Sequence, residues 1–451
     1  MGEAGAGGPV RAAPPGGPGA LARRRGIGVD PAALAPSAEQ EELRAVVTRF
    51  VAQVSGPDDV RRHSGLPGGY DRAVWGRLTG ELGLAGIAVP ARYGGAGATF
   101  GDLAVVLAAA GRRLLCAPLL ASAALAPAAL LAAGAGDAAR AGAGEDTAAG
   151  GRYLPGIAAG TTVATLAGTG GPHAGGAVHG RRAAAGWRLS GAVDFVLHGA
   201  AADLVLLLAG TDHGPTLFAV AGDADGLRRT PRTVLDATRP QALLELADVP
   251  AQPVGSVGGG RPAFERALDV GRAALAAEQV GVTEHALRAC VEFVGQRRQF
   301  GRPIGSFQAI QHRLADLLVE LEGARCAAGY AAACVDASPA ELPVAAAVAR
   351  VAGTGAAELA AREYVQLHGG IGFTWEHPAH LYVRRSRADA VLFGTAAAHR
   401  ARLAELIGLA AQPPAPAAEP GQAAGEPAQP AGRPGQPAQP VGQPAGEPAD
   451  G

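Results

Sequence analysis

The chain contains no lysine, so arginine carries every fixed positive charge apart from the chain terminus. The 39 arginines face 40 aspartates and glutamates, which gives a formal net charge of −1. A chain this close to neutrality has no overall positive field that would attract a polyanion. We therefore predict no nucleic-acid partner, and any anion that binds must be recognised by locally placed arginines.

Cysteine is scarce as well. Four cysteines occur in 451 residues, and none forms a Cys-x-x-Cys pair, which argues against a disulfide framework and against a cysteine metal site. They lie in apolar, alanine-rich surroundings at positions 116, 290, 326 and 334. We predict reduced thiols inside the core and no bound metal.

Long hydrophobic runs are also missing. The longest apolar stretch, residues 117–133, is mostly alanine and is interrupted by Pro118 and Pro127. It is too short and too weakly apolar to span a bilayer. No secretory hydrophobic segment follows the basic residues 23–25. The sequence thus predicts no membrane span and a cytoplasmic location.

What remains is the composition of a globular protein, with 48% hydrophobic and 18% charged residues. Two terminal segments, 1–36 and 412–451, are rich in glycine, proline and alanine without periodicity, and we predict that both are disordered. Between them, the hydrophobic pattern predicts a helical domain over 37–150, a β-rich domain over 151–260 and a second helical domain over 261–411.

Helical periodicity gives more detail at both ends of this ordered region. Ser37 is a predicted N-cap for the first helix, and a later helix is predicted from Phe100 to Arg113. The alanine-rich sequence to about residue 134 is predicted to continue as helix, broken by its prolines. In the C-terminal domain the pattern predicts four long helices, over residues 264–296, 307–336, 340–366 and 379–409.

Two motifs lie within this C-terminal domain. Residues 297–312 read RRQFGRPIGSFQAIQH, and residues 366–378 read QLHGGIGFTWEHP. Together with the order of helices, sheet and four helices, these motifs closely resemble the acyl-CoA dehydrogenase superfamily. The resemblance covers residues 37–409. It implies an α+β fold with an N-terminal helical domain, a middle β domain and a C-terminal four-helix bundle.

The resemblance also implies a cofactor, FAD, because members of this superfamily are flavoenzymes. A flavin dinucleotide needs cations for its pyrophosphate and close backbone approach at glycines. The positions that match cofactor-contacting residues are Arg297, Phe300, Gln308, Gln366, Gly369, Gly370 and Thr395. In the superfamily the glycine-rich turn contacts the cofactor of a neighbouring subunit, so an oligomer with shared sites is expected.

The substrate implied by the resemblance is an acyl-CoA thioester. Asp269 and Arg272, which we expect to open the first bundle helix, match an Asp-x-x-Arg segment that lies beside the thioester in the superfamily. A helix-opening aspartate and an exposed arginine are also common structural features, so both interpretations stay open.

The catalytic base is missing from this pattern. The superfamily reaction removes an α-proton while a β-hydride passes to the flavin, and a carboxylate takes the proton. One superfamily position for that carboxylate is occupied here by Phe393, directly before Gly394 and Thr395. The other, directly before Arg272, is occupied by Gly271. The catalytic residue is therefore unknown from the sequence.

The residues expected around the flavin ring depart as well. Leu166, Ala167 and Gly168 stand where members carry Thr-Glu-Pro, and Phe195 and Leu197 stand at the positions of a tryptophan and a threonine. Three carboxylates remain nearby in sequence: Asp389, Glu278 and Glu376. For the first two a solvated or structural role is the better interpretation, and Glu376 is expected to be structural.

Two functions follow from these observations, with a third kept open. The chain is either an FAD-linked acyl-CoA dehydrogenase with a base at another position, or a catalytically silent subunit that completes the FAD site of a heteromeric enzyme. A hydratase or acyl-CoA-binding protein on the same scaffold would also lack the base. The expected partners are a homologue in a homo- or hetero-oligomer and, for a catalytic assembly, an electron-transfer flavoprotein.

Overall fold

The computed structural model describes residues 35–141, 148–168, 178–184 and 186–409. Nearly all of both predicted terminal segments, 1–36 and 412–451, lies outside the described residues. The same holds for residues 169–171, which follow the position of the superfamily's Thr-Glu-Pro.

Helices form the first part of the chain. Ser37 caps the first helix, as predicted, because its hydroxyl accepts from the Gln40 amide while the Gln40 side chain accepts from the Ser37 amide. Phe50 and Val51 on its inner face are buried against the following helices. The bounds of these helices are α1 Ala38–Val54, α2 Pro57–Ser64, α3 Arg72–Gly80 and α4 Phe100–Arg112.

The alanine-rich segment is helical, as predicted, but it does not break at both prolines. A π-helical stretch, Leu120–Leu125, runs directly into α5, Ala126–Ala141. Pro127 is the second residue of α5 and therefore lies inside a continuous helical segment. The wider π turn places Leu125 against the C-terminal helices, a contact that matters for the site below.

The predicted start of the β domain at residue 151 is wrong. Helix α6, Ala148–Ala158, crosses that boundary and packs against α5 in the helical part of the molecule. The first strand begins only at Ala164. A Gly-Arg-Tyr-Leu-Pro sequence carries little helical signal, and packing of Leu154 and Ile157 into the core determines the outcome.

Seven strands form the main sheet in the described part of the chain, in the order β1-β4-β5-β7-β3-β2, with β6 paired to β7. All pairs are antiparallel except β1 with β4. The strands are β1 Ala164–Leu166, β2 His179–Ala183, β3 Gly186–Leu197, β4 Leu204–Ala209, β5 Thr216–Ala221, β6 Leu227–Pro231 and β7 Gln241–Val254.

The C-terminal part is a helical bundle around one long central helix. This helix is buried on all sides over its middle third, and at Gly281 an added Cβ would lie 1.8 Å from the Ala108 carbonyl oxygen, so only glycine permits the contact with α4. The bundle helices are α7 Arg261–Gln296, α8 Gln308–Ala337, α9 Leu342–His368, α10 Ala379–Asp389 and α11 Ala396–Leu406.

Three predicted long helices are present, but the fourth, over residues 379–409, is divided. It breaks between α10 and α11 because Phe393 and Gly394 adopt left-handed backbone conformations, with φ of 60° and 108°. Thr395 then caps α11 through a hydrogen bond from the Ala398 amide. The break lies at one of the two positions expected to carry the catalytic base.

Three of the four cysteines, at positions 116, 290 and 334, are buried free thiols, as predicted. The fourth, Cys326, is exposed on α8, contrary to the prediction that all four lie in the core. Among the described residues, one segment, Leu342–Phe373, is long and apolar enough to cross a membrane by length and composition. It lies within the helical bundle, and more than half of its most apolar window is buried there, so it is weak evidence for a span.

Candidate active site

The two expected base positions lie next to each other. A Cβ built on Gly271 would lie 3.4 Å from Cε2 of Phe393, which the left-handed turn after α10 points inward. The same Cβ would lie 2.4 Å from Cδ2 of Leu125. Leu125 and Phe393 therefore occupy the space into which a carboxylate from either position would project, and both side chains are almost completely buried.

The Asp269–Arg272 pair lies beside Phe393 and is buried. Asp269 stands in the third turn of α7 rather than at its start, and Arg272 is buried. Arg272 donates to Asp269 Oδ1 over 2.6 Å and to the Phe393 carbonyl over 3.3 Å. Arg402 of α11 donates to both oxygens of the same carboxylate, over 2.6 and 3.0 Å. Asp269 is thus fully engaged within the chain.

His399 of α11 lies in the same buried region as Asp269 and Arg272. It is buried beside Gly394, and its Nε2 has no hydrogen-bond partner among the described residues. Burial, reinforced by nearby Arg350, Arg272 and Arg402, lowers the pKa of His399 to about 4. A neutral histidine in this position adds no charge to an already arginine-rich corner.

The two alternative carboxylates are structural rather than solvated. Glu278 accepts from Arg239 over 3.0 Å and from Arg385, and Asp389 lies 3.0 Å from Arg239. Asp236 completes this cluster through a 2.6 Å ion pair with Arg385. Every member is buried at the junction of the sheet, α7 and α10.

Within this cluster the two aspartates differ. Burial raises the pKa of Asp389 to about 6, whereas for Asp236 the cost of burial is outweighed by Arg385 and Thr238, which lower its pKa. A raised pKa alone would suit a general base. However, the cavity that reaches the cluster holds about 20 Å³, which is room for about one water molecule. An acyl thioester has no access to Asp389 or Glu278 in this conformation.

The residues matched to cofactor contacts lie at the opposite end of α7. Arg297 ends that helix, and strands β8 Arg298–Gln299 and β9 Arg302–Pro303 follow as a short hairpin. Its two-residue loop, Phe300 and Gly301, has φ of 51° and 76°, the pattern of a type I′ turn. This conformation is costly for phenylalanine, and the hairpin holds the Phe300 ring 90% exposed.

The glycine-rich turn lies beside the last turn of α7. The His368 ring stacks on Phe293 with centroids 4.3 Å apart, and Phe293 is one helical turn before Arg297. Gly369 adopts φ 62° and ψ −139°, a combination that is essentially restricted to glycine. Gln308, Gln366, Gly369 and Gly370 are all solvent-exposed, and Phe373 at the end of the turn is 87% exposed.

The structure therefore sorts the predicted site residues into two groups. Thr395 lies with Gly271, Arg272 and Phe393, whereas Arg297, Phe300, Gln308 and the glycine-rich turn lie together elsewhere. Arg272 and Arg297 are 25 residues apart on one helix, which is about 37 Å at 1.5 Å per residue. The exposed group consequently cannot serve a cofactor bound beside Phe393 of the same chain.

Comparisons with known proteins agree with this fold and these motifs. A family model described as the acyl-CoA dehydrogenase N-terminal domain matches residues 37–161, and one described as the C-terminal domain matches residues 258–408. The acyl-CoA dehydrogenase IpdE2 of Mycobacterium tuberculosis is 34% identical, over 80% of this chain and 94% of its own length. The chain belongs to the acyl-CoA dehydrogenase family.

Solved structures of acyl-CoA dehydrogenases share this fold. The Tcur3481–Tcur3483 steroid acyl-CoA dehydrogenase variant has 32% identity and a TM-score of 0.71, covering 82% of this chain and 98% of that one. The ChsE4–ChsE5 complex of Mycobacterium tuberculosis has 28% identity and a TM-score of 0.72, covering 84% and 100%. Butyryl-CoA dehydrogenase of Megasphaera elsdenii, at 25% identity, shares the fold with a TM-score of 0.71.

Acyl-CoA dehydrogenases use a flavin, and the side chains at the positions expected around its ring do not fit one. Leu166 and Ala167 are buried and present no polar side chain, and the Ala167 amide is already bonded to the Leu206 carbonyl. Thr165 donates inward to the Leu197 carbonyl over 2.6 Å. Phe195, at φ 55°, presents a ring without a donor. The exposed arginine-rich end does fit the charge of a dinucleotide.

Two residues of this acyl-CoA dehydrogenase site were missed in the sequence. Leu125 lies in an alanine-rich stretch with no motif, and only the π turn before α5 brings it to Gly271. Arg402 lies in a region of ordinary helical periodicity, and its role follows from the break at Phe393 that turns α11 back toward Asp269. The spacing of residues along the sequence predicts neither contact.

Proposed function

We propose that this chain is a base-less subunit of a hetero-oligomeric acyl-CoA dehydrogenase. In this proposal a homologous partner chain supplies the catalytic carboxylate and holds the flavin ring, while this chain contributes the Arg297 hairpin and the glycine-rich turn to the partner's FAD. The observation that carries the proposal is the packing of Leu125 and Phe393 against Gly271. Neither base position holds a carboxylate, and these two buried side chains fill the space that a carboxylate would occupy.

The exposed end of the bundle supports the contribution to a partner's site. It presents Arg297, Arg298 and Arg302 as cations and Phe300 as an aromatic ring held by a strained turn. FAD supplies the hydride-accepting chemistry when bound, and the residues of this chain would hold its phosphates and exclude water at the subunit boundary. The heteromeric relatives described above make a second acyl-CoA dehydrogenase chain the expected partner.

The substrate of the complex is an acyl-CoA thioester in this proposal. The steroid named for the Tcur3481–Tcur3483 relative makes a steroid side-chain acyl-CoA the first substrate to examine, with an electron-transfer flavoprotein as the electron acceptor. A cytoplasmic location remains a prediction from the sequence.

The decisive experiment compares the isolated chain with a complex formed by co-expression with a homologue that carries Glu before Gly-Thr. Under anaerobic conditions, acyl-CoA should bleach the flavin absorbance of the complex and leave the isolated chain unchanged. Replacing the partner's Glu with Gln should abolish bleaching, while substitution of Asp389 or Glu278 in this chain with Asn or Gln should not. Full bleaching by the isolated chain would reject the proposal.

A further inference from the structure

Two neighbouring cavities lie away from the candidate active site, along the outer side of α7. The first, of about 610 Å³, is a groove between α1, α4, α7 and α8. The second, of about 690 Å³, lies beside the C-terminal half of α7. Each has the volume of a small-molecule site, and neither takes part in the function proposed above.

The groove has an apolar floor. Its central lining comes from small aliphatic side chains of three helices, including Val105, Ala108, Val280 and Ala332. Gly329 on α8 also lines the groove, and a Cβ at that position would meet no atom within 4 Å. An elongated apolar body could therefore lie along this floor, where it would remove aliphatic surface from water.

The second cavity is rich in arginine. Four line it, at positions 112, 113, 288 and 325, against the carboxylates Glu284 and Glu292. Within the described part of the chain, Arg113 and Arg288 form no ion pair with a carboxylate. The cavity thus has an excess of positive charge in a chain whose formal net charge is −1. An anionic group is the complementary ligand.

One ion-paired cluster lies at the boundary of the two cavities, because its members Arg112, Glu284 and Arg325 line both. Glu284 accepts from Arg112 and, over 2.5 Å, from Arg325. Although burial opposes ionisation of Glu284, the hydrogen bonds from the two arginines lower its pKa. The carboxylate therefore holds both guanidinium groups at the point where the apolar groove meets the cationic cavity.

We propose that the two adjoining cavities bind an amphipathic anion, with its apolar body in the α1–α4–α7–α8 groove and its anionic head among Arg112, Arg113, Arg288 and Arg325. The head is a carboxylate or a phosphate, as in a free long-chain acid or its CoA thioester. The charge of the head and the shape of the body are both complementary to the cavities. None of the residues that line the two cavities belongs to the base-less acyl site or to the Arg297 hairpin.

Dodecanoate is a suitable probe, and dodecyltrimethylammonium is its control because it has the same tail and an opposite head charge. Isothermal titration below the micelle concentration should show saturable binding of the anion and not of the cation. Dodecanoyl-CoA and CoA alone, titrated in parallel, separate a carboxylate head from a phosphate head.

Two variants locate the site. Gly329→Leu fills the groove from an open position, and it should weaken dodecanoate binding at least about tenfold. Gly323→Leu is the matched control, since it is exposed on the same helix, also has open space around its Cβ and does not line the groove. Arg288→Glu should weaken dodecanoate binding by a similar factor.

Several results would overturn the proposal. Equal binding of the anion and the cation would show that the arginine cavity does not bind the head group. Unchanged dodecanoate binding in Gly329→Leu would show that the groove does not bind the apolar body. Binding that appears only after deletion of residues 1–34 would show that the chain's own N-terminal segment occupies the groove. Because no readout involves flavin or dehydrogenation, failure here leaves the proposed function unaffected.

Discussion

Phe393 and Phe300 share a left-handed backbone conformation and lie in opposite environments, 3% and 90% exposed. Phe393→Ala should lower the free energy of unfolding by about 3–5 kcal/mol, because it removes a ring packed against Gly271 and leaves a cavity. Phe300→Ala is the matched control, with an expected change within about 0.5 kcal/mol. Denaturant unfolding of the isolated chain measures both changes. Equal decreases in the free energy of unfolding would show that Phe393 does not pack against Gly271 as described.

Asp269 allows a second test at the residue scale. Asp269→Asn leaves Arg272 and Arg402 without their shared carboxylate in a buried corner, so the free energy of unfolding should fall by about 3–5 kcal/mol. Glu245→Gln breaks a partly exposed pair with Arg228, and it should cost no more than about 1 kcal/mol. If the Asp269 variant were as stable as the Glu245 variant, Asp269 would be free for a ligand rather than engaged within the chain.

Sequence could identify which residues stand at the base positions but not what surrounds them. The motifs located Gly271, Phe393 and Arg272 because those segments keep a recognisable order along the chain. Leu125 and Arg402 reach the same corner through a π turn and a helix break, and both depend on tertiary packing. The burial of Glu278 and Asp389 likewise follows from three elements that meet only in the folded chain.

At the scale of elements, an aromatic layer joins α7, α9 and α10. His285 of α7 stacks on Tyr382 of α10 with centroids 4.5 Å apart, and it contacts Tyr364 of α9 edge-on. Burial, together with Arg113 and Arg112, lowers the pKa of His285 to about 4. The folded chain therefore holds this histidine neutral where an unfolded chain, with a pKa of about 6.5, begins to protonate it.

This difference predicts a pH dependence. Below about pH 6.5 the unfolded state binds more protons, so the contribution of His285 to stability is present above that pH and is lost as the pH falls toward 4. His285→Phe keeps a stacked ring without a titratable group. The decrease in melting temperature between pH 7 and pH 5 should be smaller in that variant than in the parent chain.

Exposed His312 provides the control for this pH dependence. His312→Ala, on the surface of α8, should reproduce the decrease seen in the parent chain. If His285→Phe kept the full decrease, other groups would account for the pH dependence.

Periodicity predicted most elements because the helices of the bundle and strands such as β4 carry strong hydrophobic patterns. It failed where local backbone geometry or packing decides the outcome. The predicted fourth bundle helix divides because Phe393 and Gly394 leave the helical region, and α6 forms across a predicted boundary because its apolar face packs on α5. Neither effect is encoded in the spacing of apolar residues.

At the scale of the whole molecule, the structure separates what the motifs had joined. The superfamily resemblance predicted flavin sites shared between subunits, and the length of α7 places the matched residues at two ends about 37 Å apart. The resemblance assigned the glycine-rich turn to the cofactor of a neighbouring subunit, but the distance between Arg297 and Arg272 follows only from the single long helix that carries both.

Arg297 tests the contribution of the exposed end. Arg297→Ala in this chain should lower the FAD retained by the co-expressed complex about tenfold or more, because one charge-assisted contact to phosphate is lost from the boundary. Arg400→Ala, exposed on α11, is the matched control and should leave FAD retention unchanged. Equal retention in the two variants would place the partner's cofactor away from the hairpin.

The most direct test of the account is the number of FAD molecules per chain. Because the side chains at the positions expected around the flavin ring do not fit a flavin, the complex with a base-carrying homologue should contain one FAD for every two chains, and the isolated chain should contain none. Absorbance of released flavin against protein mass measures the ratio. One FAD per chain, with the isolated chain yellow and bleached by acyl-CoA, would contradict the account.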